Sequence, residues 1–280
     1  MLQDIEHHLA CPHCAGPLAL DGRTLRCPAG HSFDQARQGY VSLLAAGTHT
    51  GTGDTADMVA ARTDFLAAGH YLPIAEALAD AAAALAPEQA ADGGLVVDLG
   101  AGTGYYLAHV LGRLDGAAGA ALDISKYALR RAARAHPRIG AVVCDAWRPL
   151  PLLDGCADLV LNVFAPRNGP EIRRILAPGG RLAVVAPTTR HLRELVAALG
   201  LLSVDEEKER RIDDKLGPFL TPLERTETEF TLRLSHRDAA AVVGMGPNAW
   251  HTDPTGLAAA IAALPEPVEV TGSVRLSVYG

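Results

Sequence analysis

Residues 95–106 read LVVDLGAGTGYY. Leu95–Leu99 is an apolar run broken by one acid, the pattern of a short strand buried on both faces. Gly100, Gly102 and Gly104 follow in a G-x-G-x-G spacing, and a helix is expected from Tyr105 to Leu114. Moving outward, a second strand spans Ala118 to Leu122 and ends in Asp123, 19 residues past Gly104. A third, Ala141 to Cys144, ends in Asp145-Ala146. A fourth, Ala157 to Phe164, ends in Ala165-Pro166-Arg167. After a further helix and the turn Ala177-Pro178-Gly179-Gly180, a fifth strand covers Arg181 to Ala186. Strictly alternating strands and helices specify an α/β fold with a doubly wound parallel sheet.

Glycine at these positions is expected to let a ligand approach the strand-helix turn. A dinucleotide site wants its third glycine one residue later, whereas this spacing fits a nucleoside without phosphates. Asp98, Asp123 and Asp145-Ala146, at three successive strand ends, are placed to contact such a ligand along its length. The set resembles the class I S-adenosylmethionine-dependent methyltransferases, in which LAPGG before the fifth strand is also typical. A nucleotide-binding Rossmann domain is the alternative.

Five cysteines are present, and Cys11, Cys14, Cys27 and His31 form C-x2-C-x12-C-x3-H. Two such half-sites close a tetrahedron around one zinc ion. The residues between them form a hairpin with Asp21-Gly22 at its tip. Four protein ligands leave no open position, so the metal is structural. His13 is the alternative fourth ligand, and a redox C-x-x-C is the alternative chemistry. A segment of about 40 residues buries too little surface to fold alone, so the metal holds it. Cys144 reads as a small core residue.

Hydrophobic residues make up 49% and charged residues 20% of 280, enough apolar material for a large core. No run suits a membrane span, and the N-terminus lacks a secretory pattern, so a cytoplasmic protein is expected. The formal net charge of −7 argues weakly against nucleic acid. Local charge argues the other way. Lys126, Arg130, Arg131, Arg134 and Arg138 cluster without an acid, and Arg23, Arg26 and Arg37 decorate the cysteine-rich segment. Arg173, Arg174, Arg190 and Arg193 add to the sheet edge, and the acids of 205–214 are expected to face away from RNA. His49 to Asp57 reads as a linker, followed by helices from Met58 toward Gly69 and from Ile74 to Leu85. Near the C-terminus, Glu229–Leu234 and Val268–Val278 are expected to form an antiparallel edge, with 237–264 as a helical insertion.

In order along the chain, CPHC, RCPAGHSFDQARQGYVSLL, DMVAAR, AGHY, VVDLGAGTGYY, LDISKYALRRAAR, NVFAPRN and RHLREL resemble the 23S rRNA guanine-N1-methyltransferases. The likeness is nearest to the Gram-positive branch that includes macrolide (tylosin) resistance enzymes. It implies a zinc-binding RNA-recognition module over 1–40, a linker and helix over 41–70, and a methyltransferase domain over 71–280. It implies zinc on Cys11, Cys14, Cys27 and His31, and methyl-donor contacts from Tyr71, Gly104, Tyr105 and His191. It also implies a guanine substrate in a hairpin loop of 23S rRNA domain II beside the peptide exit tunnel, free or in a pre-ribosomal particle, and a homodimer. The fourth strand end should receive the target base, with Arg167 stabilising charge on O6 and Asn162 bonding the base edge. Arg167 as a phosphate contact and Asn162 as a loop tie are the alternatives. Gly246–His251 offers Trp250 for stacking and His251 for a proton. Competing readings are a methyltransferase for a small metabolite with a purely structural zinc module, and an RNA-binding protein with a vestigial cofactor fold.

Overall fold

The computed structural model describes residues 1–45, 47, 53–85, 93–201, 208–245 and 254–280. Gly246–His251 lies outside the described residues, as do part of the 49–57 linker and part of the 205–214 acidic stretch. The strands are β1 (Ala19–Asp21), β2 (Thr24–Arg26), β3 (Ser32–Asp34), β4 (Tyr40–Ser42), β5 (Leu95–Leu99), β6 (Ala118–Asp123), β7 (Ile139–Val143), β8 (Ala157–Val163), β9 (Leu176–Pro187), β10 (Pro222–Leu234) and β11 (Val268–Tyr279). The helices are α1 (Ala56–Ala67), α2 (Leu72–Leu85), α3 (Tyr105–Leu111), α4 (Lys126–Ala135), α5 (Gly169–Ile175), α6 (Arg193–Leu199), α7 (Lys208–Leu216), α8 (His236–Gly244) and α9 (Pro254–Ala262).

An eight-stranded sheet runs β10-β11-β9-β8-β5-β6-β7-β4. The six strands from β9 to β4 are parallel, and β11 pairs antiparallel with both β9 and β10. The C-terminal hairpin thus forms the expected antiparallel edge, with β10 starting earlier, at Pro222. All five residues of β5 are buried, because helices cover both faces. Val96 packs with Phe65, Leu78 and Leu107 on one face, whereas Leu95, Val97 and Leu99 pack with Ile172 and Leu216 on the other.

The N-terminal segment departs from the expected layout. Its hairpin forms about Gly22 (φ +63°), but β3 adds a third strand. Residues 40–42, expected to span the boundary between zinc module and linker, are β4, which pairs parallel with β7 and extends the main sheet. Nor is the ribbon detached: Ile5, Leu9, Leu25 and Cys27 belong to the same buried cluster as Val97 and Val142. Ile5 lies so close to β7 that a Cβ on Gly140 would sit 2.4 Å from its Cδ1. Backbone bonds Ala10 N–H to Pro151 O (3.1 Å) and Leu153 N–H to His8 O (2.8 Å) complete the docking. Strand spacing cannot report such a seam, because its partners lie more than 100 residues apart in the chain.

Candidate cofactor pocket and zinc centre

β5 pairs with β6 on one side and β8 on the other, so the winding direction reverses at its carboxyl end. Open α/β sheets bind ligands at such a switch point. The glycine loop sits there, with Gly100, Gly102 and Gly104 at φ +75°, +54° and +77°. All three therefore need glycine on backbone grounds. Their missing side chains do a different job from the one expected. A Cβ on Gly100 would lie 2.5 Å from Ala165 Cβ, and one on Gly104 would lie 2.9 Å from Ala132 Cα. The space left by these two glycines admits the β8–α5 turn and α4, while Gly100 also lines the cavity. Only Gly102 turns its bare face to the cavity, where the nearest atom is Arg62 Cδ at 3.8 Å.

Asp123 holds this loop. Its Oδ2 accepts the Gly102 N–H (2.8 Å) and its Oδ1 the Ser125 N–H (2.7 Å). Burial raises its pKa against those bonds. Asp98 is buried at 1% exposure, and neither carboxylate oxygen finds a partner among the described residues. Burial, aided by the nearby Asp123 charge, pushes its pKa up to about 8. A buried carboxylate with empty acceptor atoms calls for a cationic hydrogen-bond donor. The ammonium group of S-adenosylmethionine is such a donor, so the residues present fit the cofactor expected from the glycine motif.

Tyr71 lines the same cavity. Tyr71 Oη lies 3.0 Å from His191 Nε2, and the Ser273 N–H donates to His191 Nδ1 (3.1 Å). Nδ1 therefore carries a lone pair, so Nε2 carries the proton and donates to Tyr71 Oη. That leaves the Tyr71 hydroxyl proton for another acceptor. Phe164, at φ +53° just past β8, places its ring 6.1 Å from those of Tyr71 and His191 and 6.4 Å from that of Tyr106. A left-handed non-glycine residue is strained, and strain of this kind collects at functional sites. Tyr105 also lines the cavity.

Arg62 was legible only as a helix residue, yet it reaches the pocket from α1. Its Nη2 donates to Asp54 Oδ2 (2.8 Å) and Met245 O (2.7 Å), while its buried Nε has no partner among the described residues. The one available signal was a cation on an otherwise apolar helix face.

Other expected residues stand elsewhere. Asn162 is fully buried and donates one N–H from Nδ2 to Pro166 O (2.7 Å), which ties the Ala165–Asn168 turn, while its Oδ1 has no partner among the described residues. Arg167 in that turn is largely buried, which lowers its pKa, and its Nε is unpartnered among the described residues. Asp145 accepts the Trp147 N–H (2.9 Å), capping its own turn, and Ala146 O accepts from Asn168 Nδ2 (3.0 Å). Neither Asp145 nor Ala146 lines the cavity beside Asp98.

The four predicted metal ligands converge. Their ligand atoms all lie within 4.8 Å of one another. Cys14 Sγ to Cys27 Sγ is 3.7 Å, and His31 Nδ1 lies 3.5 Å from Cys11 Sγ and 3.3 Å from Cys27 Sγ. A tetrahedral zinc with bonds of about 2.3 Å separates two thiolates by roughly 3.8 Å, so the set fits that ion. His13 instead stacks on Phe33 (5.7 Å between centroids), which removes it as a ligand.

Several arginines of the expected basic patches are engaged by partners within the chain. Arg138 donates to Leu111 O, Leu114 O and Ala117 O at 2.5–2.6 Å, capping the end of α3. Arg174 pairs with Glu171 and Asp154, Arg190 with Glu227 and Glu229, and Arg193 with Glu194. Lys126 and Arg130 remain on α4, each 5.4 Å from the exposed Tyr127 ring.

A family model described as "RlmA, N-terminal", a zinc ribbon, matches residues 9–49, and one described as "Methyltransferase domain" matches residues 96–180. A protein of Micromonospora griseorubida named as a 23S rRNA (guanine-N(1)-)-methyltransferase is 54% identical over 100% of this chain and 99% of its own length. The 23S rRNA (guanine(748)-N(1))-methyltransferase of Streptomyces fradiae is 53% identical over 99% of this chain and 98% of its own. The solved structure of MccD protein shares the fold at 16% identity and a TM-score of 0.50, covering 74% of this chain and 97% of that one. With a four-ligand zinc ribbon, a methyltransferase sheet and two full-length relatives above half identity, the chain belongs to the 23S rRNA (guanine-N1)-methyltransferase family.

Proposed function

We propose that this chain methylates N1 of a guanine in 23S rRNA, using S-adenosylmethionine. The observation that carries the reading is Asp98, a buried carboxylate without a partner at the switch point, in a chain that also holds the zinc ribbon. The cofactor, when bound, supplies an activated methyl group. Asp98 receives its ammonium group, Gly102 gives its backbone room, and Asp123 keeps the loop in place while offering its remaining lone pairs to ribose hydroxyls. Tyr71, oriented by His191, donates its hydroxyl proton toward the cofactor side of the cavity, and Tyr105 closes the wall beside it. Asp145 and Ala146, from outside this cavity, remain assigned to the adenine edge.

Guanine N1 holds a proton at neutral pH, and negative charge gathers on O6 as that proton leaves. Arg167 is assigned to stabilise that charge. Asn162 acts as a positioning residue by fixing Pro166, one residue before Arg167. The target is placed in the domain II hairpin loop beside the exit tunnel, where a methyl group would bear on macrolide binding. The chain is taken to act in the cytoplasm as a homodimer, which sedimentation would check. Among the described residues no helix is long and apolar enough to cross a membrane.

Labelled S-adenosylmethionine, incubated with the protein and ribosomal RNA from a strain lacking this chain's gene, tests the reading. Label in RNA with a primer-extension stop at one guanine is expected, because an N1 methyl blocks pairing. Label confined to low-molecular-weight material would overturn it in favour of a metabolite methyltransferase.

A further inference from the structure

At 59% exposure, Trp147 is the most exposed large apolar side chain among the described residues. It is rigidly mounted. Its own N–H is held by Asp145 Oδ1 (2.9 Å), and Arg148 N–H donates to Asp145 O (3.1 Å). The preceding Ala146 O accepts from Asn168 Nδ2 (3.0 Å), which ties the Trp147 turn to the turn that follows Phe164. So the Trp147 turn is tied to the loop that follows Phe164, a residue lining the cofactor cavity.

Two further elements close on this place. Lys215 Nζ lies 5.3 Å from the centroid of the Trp147 ring. Gly169 starts α5, and a Cβ there would sit 2.6 Å from both Lys215 O and Cδ2 of Phe219, itself 40% exposed. The end of α7 is thus packed onto the start of α5, with Phe219 in that contact and Lys215 reaching the Trp147 ring. Asp213, the acid two residues before Lys215, is engaged by Arg225 (2.6 Å) and the Tyr279 hydroxyl (3.1 Å). The patch combines the exposed Trp147 indole with the Lys215 ammonium beside it.

Aromatic faces backed by cations are what unpaired nucleobases and their phosphates need. We infer that Trp147 is a stacking platform for an unpaired base of the RNA next to the target guanine, with Lys215 meeting the adjoining phosphate. The inference rests on the rRNA methyltransferase reading and adds to it a second base contact, outside the cofactor cavity. The backbone that carries the indole is held, and a Trp side chain has only two rotors to order, so much of its stacking energy goes into affinity.

The test uses an RNA hairpin carrying the target loop, with the full-length zinc-loaded protein. Trp147→Ala should weaken RNA binding and raise the RNA KM by about 5- to 150-fold, the range for losing one stacked base. Its kcat at saturating RNA, its melting temperature and its affinity for S-adenosylhomocysteine should stay at wild-type values. Trp147→Phe should recover most of the RNA affinity. Lys215→Ala should flatten the salt dependence by roughly one phosphate contact. If the wild type methylates the hairpin and Trp147→Ala binds it equally well, the platform is refuted and the patch is left to a protein partner. If the wild type neither binds nor methylates the hairpin, the underlying rRNA reading fails and the platform falls with it.

Discussion

Replacing Asp98 with Asn should make the protein more stable and a poorer cofactor binder at once. Asp98 has a folded pKa of about 8 against an ordinary value of 3.8. The folded state binds this proton more tightly than the unfolded state. Stability therefore falls as pH rises from about 4 to about 8, and is insensitive to the group outside that window. At pH 7 the unfolded carboxylate is ionised while the folded one is held protonated. At about 1.4 kcal/mol per pH unit, that costs roughly 4 kcal/mol in the protein without cofactor. An asparagine avoids this cost but leaves an unsatisfied amide worth about 1–3 kcal/mol. The net expectation at pH 7 is a gain of ~1–3 kcal/mol, or several degrees in Tm for a chain of this length.

Cofactor binding should move in the opposite direction. Loss of a charge-assisted hydrogen bond of about 1.5–3 kcal/mol weakens S-adenosylhomocysteine, which carries the same ammonium, by roughly 10- to 150-fold. The wild type must expel the Asp98 proton to receive that ammonium. Its affinity should rise with pH between 6 and 7.5, approaching tenfold per unit. Titration calorimetry in two buffers of different ionisation enthalpy should show release approaching one proton, and Asp98→Asn should abolish it. A pH-independent Kd without proton release, or a wild-type Kd in Asp98→Asn, would refute the assignment.

Removing zinc with a chelator should melt the chain as one unit at lower temperature, because the ribbon shares its core with β5 and β7. A scan in which the ribbon melts alone and the main transition stays put would contradict this. Gly100→Ala should cost about 1–3 kcal/mol and weaken cofactor binding, since its Cβ would meet Ala165 at 2.5 Å and its φ is +75°. Urea titration checks the first part, and unchanged stability would mean that the turn yields freely. Arg167→Ala should slow single-turnover methylation by about a hundredfold with cofactor affinity unchanged, and equal turnover would remove Arg167 from the chemistry.

The sheet core could be read from sequence because each β-α unit carries its own local signal. The buried run of β5, the acids at the ends of β5 and β6, and the C-x2-C half-sites are all patterns within a few residues. What escaped reading depends on distant partners. Three residues in a loose segment gave no sign that β4 would pair with β7, almost 100 residues on. Nothing beside Arg138 indicates that three carbonyls from Leu111 to Ala117 would absorb its guanidinium. The basic cluster was therefore read as larger than the surface it leaves. The glycines illustrate a subtler limit. Their presence was correctly tied to the loop, but whether a missing Cβ makes room for a ligand or for another part of the protein depends on Ala132 and Ala165.

These long-range contacts also alter what the N-terminal segment contributes. A module serving only for RNA recognition could be attached by a linker and leave the cofactor site alone. Here the ribbon leads directly into β4 at the sheet edge, and α1 then crosses to the pocket with Arg62 and Leu66 in its wall. Arg62 also bonds Asp54 and the Met245 carbonyl, while Asp54 O accepts from Ser125, the residue whose N–H binds Asp123. A continuous set of hydrogen bonds thus connects α1 to the glycine loop through Ser125 and Asp123. The zinc fixes the ribbon, the ribbon core is continuous with the sheet, and the chain leaving it completes the cavity. Zinc ribbon and cofactor pocket are consequently one folding unit, so loss of the metal should reach the pocket as well as the ribbon itself.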